Sequence, residues 1–265
     1  MKPFRSNPFL LFVFILSFAA YACQGLAPAE PTPTNTSTPS PTATITLTPT
    51  ATATATITPR PTRTPNLAAT QKAEDILAEA KEYVEYGYLS SATGDFEEYD
   101  DFREEWAQLG WYRRFQFNEH AHNFFMSAHV KWSSAYRSAD ISGCGFVFAA
   151  QENGDHYAVF LDRTQVLMLY ADPVAGFSRR VNVTSGTGRV KFDNPFDKPA
   201  EADFTLIVND IYAYVLVDGE MIGKYTLSRS KDLDGNLGLT LLSGTNKDFG
   251  TRCEMTNIRA FFPDN

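Results

Sequence analysis

Apolar positions along this chain change period three times, and each change marks a new segment. Pro8 to Ala19 is an almost unbroken aliphatic and aromatic run close to the N-terminus. Pro28 to Pro65 has no apolar period at all. Ile76, Leu77, Ala80, Tyr83 and Val84 then recur at i, i+3 and i+4, with Lys72, Glu74, Asp75, Glu79, Lys81 and Glu82 on the other faces, which predicts one amphipathic helix after Pro65. From Trp111 onward the period is two.

Alternating runs at Trp111–Phe117, Phe124–Trp132, Cys144–Ala149, His156–Asp162, Val166–Tyr170, Arg189–Phe192, Phe204–Val208, Tyr212–Val217, Met221–Leu227, Leu237–Leu242 and Arg252–Phe261 each predict a strand. Turn residues separate many of them: Glu152-Asn153-Gly154-Asp155, Asn209-Asp210, Asp218-Gly219 and Asp234-Gly235-Asn236. Asp218-Gly219 is the strongest hairpin signal, because a tight type I′ turn needs positive φ at both central residues. Gly94 to Glu105 reads as an acidic connector. Many short strands after one helix imply an all-β, antiparallel two-sheet sandwich.

The segments divide the chain into residues 1–22, 23–65, 66–94 and 95–265. The first has Lys2 and Arg5 before the apolar run and Ala20-Tyr21-Ala22 before Cys23. It resembles a bacterial lipoprotein signal, and that resemblance implies cleavage before Cys23 and acylation of Cys23. An ordinary secretory signal cut nearby and an uncleaved anchor are the other two readings, although the run is short beside the ~20 residues that a spanning helix needs. All three place the rest of the chain outside the cytoplasm; the first puts it on the outer face of the cell membrane, held by lipid. Residues 23–65, dominated by Thr, Pro and Ala, cannot build a core and form a disordered tether with a reach of roughly 100 Å in polyproline II geometry.

Charge then removes some partners. Residues 66–265 hold 19 Lys and Arg against 30 Asp and Glu, a formal charge of −11. A nucleic-acid ligand would need a basic surface, so none is expected, and contact with anionic lipid is limited to the N-terminal anchor. With Cys23 in the anchor, Cys144 and Cys253 remain; two cysteines in an extracellular domain are expected to pair, the alternative being two buried thiols.

Three stretches carry a more specific likeness. Ile207 to Ile222 with its Asp218-Gly219 hairpin, Gly235-Asn236-Leu237-Gly238-Leu239, and Cys253 to Phe261 resemble the hairpin, following segment and closing strand of concanavalin A-like lectin/glucanase jelly rolls. Asp100-Asp101-Phe102, Asn123-Phe124-Phe125 and Ser142 to Phe148 are similar to a group of tethered bacterial surface lipoproteins with that sandwich. The fold so implied hosts lectins, glycan-binding modules, glycosidases and protein-binding modules, so it does not choose among them. The glucanase branch carries Glu-x-Asp-x-Glu on a strand, which no strand here has, and this argues against cleavage of that type.

The expected function is a non-catalytic module that binds a carbohydrate or cell-envelope polymer. The alternatives are a protein-interaction or structural module, and a hydrolase without a recognisable motif. Trp132, Tyr136, Tyr157 and Tyr170 are the candidate rings for stacking on a sugar. Asp232 and Asp234 offer oxygen ligands in a tight turn, a possible calcium site without the rest of a binding loop; no other cofactor is expected. His120-Ala121-His122 has metal-compatible spacing but no evident third ligand. Whether the sheet surface presents exposed aromatics beside polar groups, or close-packed apolar side chains, separates the glycan reading from the protein-interaction one.

Overall fold

The structure, a computed structural model, describes residues 67–137, 141–192 and 198–264. Cys23 and the tether lie outside the described residues. The helix α1 spans Leu67–Glu85. It ends where Gly87 takes φ +72°, a left-handed cap in which the Tyr88 and Leu89 amides donate to the Tyr83 carbonyl.

Among the described residues, fourteen strands follow in two antiparallel sheets. The larger runs in the order β1 (Gly94–Glu98), β14 (Thr251–Pro263), β4 (Phe124–Ser134), β10 (Ala200–Asn209), β11 (Tyr212–Val217), β12 (Glu220–Thr226) and β9 (Val183–Gly186), with β2 (Phe102–Trp106) also on β14. The smaller runs β3 (Trp111–Ala121), β13 (Gly235–Ser243), β5 (Gly143–Ala150), β6 (His156–Leu161), β7 (Val166–Asp172) and β8 (Phe177–Val181). This is the antiparallel two-sheet sandwich expected from the alternating pattern, a jelly roll as the resemblance implied.

Alternation builds the core. Phe124, Met126, Ala128, Val130 and Trp132 of β4 face inward with Phe204, Leu206 and Val208 of β10, against Phe146 and Phe148 of β5 and Val159 and Leu161 of β6. The intervening residues Phe125 and Ile207, with Tyr214, Leu216 and Phe261, form a second cluster that Ile76, Ala80 and Tyr83 of α1 cover. Burying each such Phe or Ile side chain stabilises the fold by about 1.5–3 kcal/mol. The helix is therefore part of the domain, and Arg259 Nη2 donates to Glu79 Oε2 at 2.7 Å to fix its register.

The expected Asp218-Gly219 turn is present with φ +51° and +78° and joins β11 to β12. Two expectations are corrected. Gly94 to Glu105 is not a connector but supplies β1 and most of β2, which pair with β14; few of their positions are apolar because both are short strands at the sheet margin. Arg189–Phe192 is not a strand; it makes the isolated bridge Gln165↔Arg189, and the Val190 amide donates to the Thr164 carbonyl.

Candidate functional site

At one end of the sandwich the β5–β6 turn, the end of β7 and the loop between β12 and β13 enclose a cavity of about 490 Å³. Its lining includes Gln151, Asn153, Asp155, Tyr157, Tyr170, Lys231 and Asp232. Local sequence explains each placement. The Glu152-Asn153-Gly154-Asp155 turn closes with Gly154 at φ +92°, the Gly154 amide donating to the Gln151 carbonyl and the Asp155 amide to Asn153 Oδ1. Ala149, just before it, sits at φ +50°, an uncommon conformation for a residue with a side chain. A bulge at Asn236/Gly238 of β13 lies opposite, and Gly235 passes so close that a Cβ there would fall 2.7 Å from the Ala149 carbonyl carbon. On the facing loop, Asp232 Oδ1 accepts the Asp234 amide, and the Asp234 carbonyl accepts Gln151 Nε2 at 2.8 Å.

The polar centre is Asp155. The Tyr170 hydroxyl donates to its Oδ2 at 2.9 Å, and Lys231 Nζ lies 3.4 Å from the same atom and 3.6 Å from Asp172 Oδ2. Asp155 Oδ1 is shielded from solvent and has no hydrogen-bond partner among the described residues. Desolvation works to raise the Asp155 carboxyl, but the Tyr170 and Lys231 hydrogen bonds outweigh it and hold the group below its ordinary value. Lys231 is held well above its ordinary value by the hydrogen bond with Tyr170 and the charge of Asp155, so its ammonium persists. Burial raises the Tyr170 phenol. A carboxylate kept ionised in this way is a hydrogen-bond acceptor and a poor general acid.

The expected stacking rings meet different fates. Trp132 is corrected from ligand platform to core: it is 2 % exposed, meets Phe192 edge-on at 5.1 Å, and points between the sheets because it shares the phase of Phe124 and Val130. Tyr157 and Tyr170 are also buried as rings, 5.0 Å apart, with Tyr157 stacked on Phe148. They reach the cavity because they lie near strand ends, and both are among its lining residues. The Tyr157 hydroxyl accepts the Ser228 amide. Tyr136 is exposed beyond β4, with Lys247 Nζ 3.9 Å from its ring centre, and is not among the lining residues.

Among the described residues no group of three or more His, Cys, Asp or Glu side chains is arranged to hold a metal. Asp232 uses one carboxylate oxygen to close its own turn, accepting the Asp234 amide at 3.0 Å. The carboxylates of β1 and β2 pair at the surface, Glu98 with Lys72, Glu104 with Arg113 and Glu105 with Arg252.

A larger cavity, about 660 Å³, lies between α1 and the outer face of the eight-stranded sheet. Several of its carboxylates already have cationic or imidazole partners: Glu79 with Arg259, Glu98 with Lys72, Asp203 with His129. The outer face of the six-stranded sheet carries a close-packed cluster of Val147, Ala158, Phe160, Leu167 and Leu242, with Tyr112, Ile141 and Leu169 against it. Beside that cluster, His156 Nδ1 donates to the Gly154 carbonyl at 2.7 Å and its Nε2 lies 2.6 Å from the Tyr112 hydroxyl.

No known protein family matches the chain, and no curated protein does. Solved structures do show likeness. The carbohydrate-binding module CBM66 from Bacillus subtilis is 9% identical, with TM-score 0.43, over 64% of this chain and 98% of that one. A prokaryotic β-1,3-1,4-glucanase (lichenase) from a mouse hindgut metagenome is 12% identical, with TM-score 0.40, over 57% and 71%. Sheep galectin-11 is 9% identical, with TM-score 0.34, over 58% and 98%. The fold assignment stands on the strand order of this chain itself.

Proposed function

We propose that the chain is a membrane-tethered extracellular module that binds a carbohydrate without cleaving it, and that the cavity around Asp155 is where it does so. The single observation that carries this reading is the Tyr170–Asp155–Lys231 network. It presents an ionised carboxylate, a paired ammonium and neighbouring amide groups of Gln151 and Asn153 in a cavity of saccharide size. Such groups match the hydroxyls of a sugar, each of which donates and accepts. The sugar rings are held by hydrogen bonds rather than by stacking, since Tyr157 and Tyr170 are both buried. Non-catalytic binding follows from the low carboxyl value of Asp155, which leaves the network without an acid to protonate a leaving group. Tethering rests on the Cys23 signal and the Thr/Pro segment.

The test is a titration of the domain, residues 62–265, with an oligosaccharide panel, for wild type and Asp155→Ala. Binding by wild type and its loss in the variant support the reading. If no saccharide binds, the alternative of a protein-interaction module gains.

A further inference from the structure

Lys231 is the unexpected part of the cavity. Its ammonium lies 5.0 Å from the centre of the Tyr170 ring, 3.4 Å from Asp155 Oδ2 and 3.6 Å from Asp172 Oδ2. An aromatic face plus two carboxylates is a recognised arrangement for a primary ammonium ion. The carboxylates are held independently of the lysine: Asp155 by Tyr170, and Asp172 by the Ala175 amide, which donates to its Oδ1 at 2.9 Å. The lysine, by contrast, comes from the loop between β12 and β13, and its side chain is 32 % exposed. The corner is thus built on strands β6 and β7 and their turns, while its occupant arrives on a flexible stem from elsewhere.

Charge at the corner is one-sided. Two carboxylates face one ammonium, Glu152 and Asp232 on the same cavity wall are in no ion pair among the described residues, and the one further cation beside the corner among them, Arg179, lies over the Tyr170 ring at 5.8 Å without an ion pair to either carboxylate. If Lys231 moves out, a neutral hydroxyl put in its place leaves both carboxylates without a counter-charge, and an anionic group adds repulsion; both are costly in a partly buried site. A second ammonium restores every contact. Resting on the carbohydrate reading above, we propose that this corner is an ammonium cage, filled by Lys231 in the free protein and taken over by the free amine of an amino-sugar residue when ligand binds. The substrate class is then a saccharide with unacetylated hexosamine, and Lys231 is its built-in competitor.

The experiment compares wild type with Lys231→Met, which keeps the length of the stem and removes the charge. The probes are a glucosamine tetramer and its N-acetylated counterpart, titrated calorimetrically at low salt. With the competitor gone, the amine form binds Lys231→Met about ten-fold tighter than it binds wild type, and the N-acetylated form changes by less than about three-fold. Amine binding that is unchanged or weaker in the variant, while the N-acetylated tetramer still binds, overturns the cage and leaves the carbohydrate reading standing. Failure of both tetramers with both proteins overturns the cage and leaves the carbohydrate reading to the oligosaccharide panel. Should the variant not fold, propylammonium chloride is titrated into wild type against propionamide, with Tyr170 ring resonances as readout: a shift with the ammonium alone supports the cage, and no shift, or equal shifts, overturns it.

Discussion

Cys144 on β5 and Cys253 on β14 are joined by a disulfide that crosses from one sheet to the other, with their Cα atoms 5.8 Å apart. Both side chains face inward, so the bond runs through the core and ties the closing strand to the opposite layer. The sequence separation is 109 residues, and closing a loop of that size restricts the unfolded chain by roughly 4–5 kcal/mol in the chain-entropy model. Reduction should lower the denaturant midpoint accordingly. Peptide mapping of unreduced, secreted protein should recover one Cys144–Cys253 pair, whereas two free thiols there would contradict the structure.

Trp132→Ala should act on stability rather than on ligand. The ring is buried beside Phe192, and its removal leaves a cavity worth about 3–5 kcal/mol in lost stability. A calorimetric melt and a saccharide titration on the same sample separate the two effects; unchanged stability with reduced binding would place Trp132 in a site instead.

Acid should weaken the domain through His156. Burial, helped by the Arg114 guanidinium, pushes this imidazole down to about 4 from an ordinary value of 6.5. The unfolded chain therefore binds the proton more readily than the folded one across that window, so stability is full above about pH 6.5 and falls as pH drops toward 4, by roughly 3 kcal/mol at the lower end. His156→Gln should flatten that slope. If urea midpoints of wild type and variant follow the same pH curve between pH 4 and 7, the imidazole is not buried neutral.

The helix α1 should behave as part of the sandwich. Tyr83→Ala removes a ring packed edge-on against Phe125 at 5.2 Å and should destabilise the domain by about 3 kcal/mol. Hydrogen exchange would show α1 amides protected together with β4; rapid exchange in α1 with protection retained in β4 would contradict docking of the helix.

Much of this was legible in the pattern of residues. The phase that puts Phe124, Met126, Ala128 and Val130 in the core puts Trp132 there too, so its burial was readable from alternation alone. Other elements were hidden for physical reasons. In β1 only Phe96 faces α1 among acidic neighbours, and β8 and β9 are exposed edge strands, so neither shows a buried period of two. The closing strand holds its core phase at Cys253 and Met255, then shifts by one at a bulge where Asn257 has φ +53°, so that Ile258 and Ala260 face inward. The site was the least legible part. The turns bearing Asp155 and Asp232 were each visible, but Lys231 lies 76 residues from Asp155 and only the sheet order brings them together.

The central claim is best tested by calorimetric titration of residues 62–265, as wild type and as Asp155→Ala, with a broad oligosaccharide panel and product analysis of each mixture. The account predicts weak binding in wild type, roughly micromolar to millimolar, the range expected when a few hydrogen bonds offset the ordering of a flexible ligand. It also predicts recovery of the saccharide intact, and loss of binding in Asp155→Ala with the fold preserved. Turnover of any saccharide, binding untouched by the Asp155 change, or no binding across the panel would contradict it.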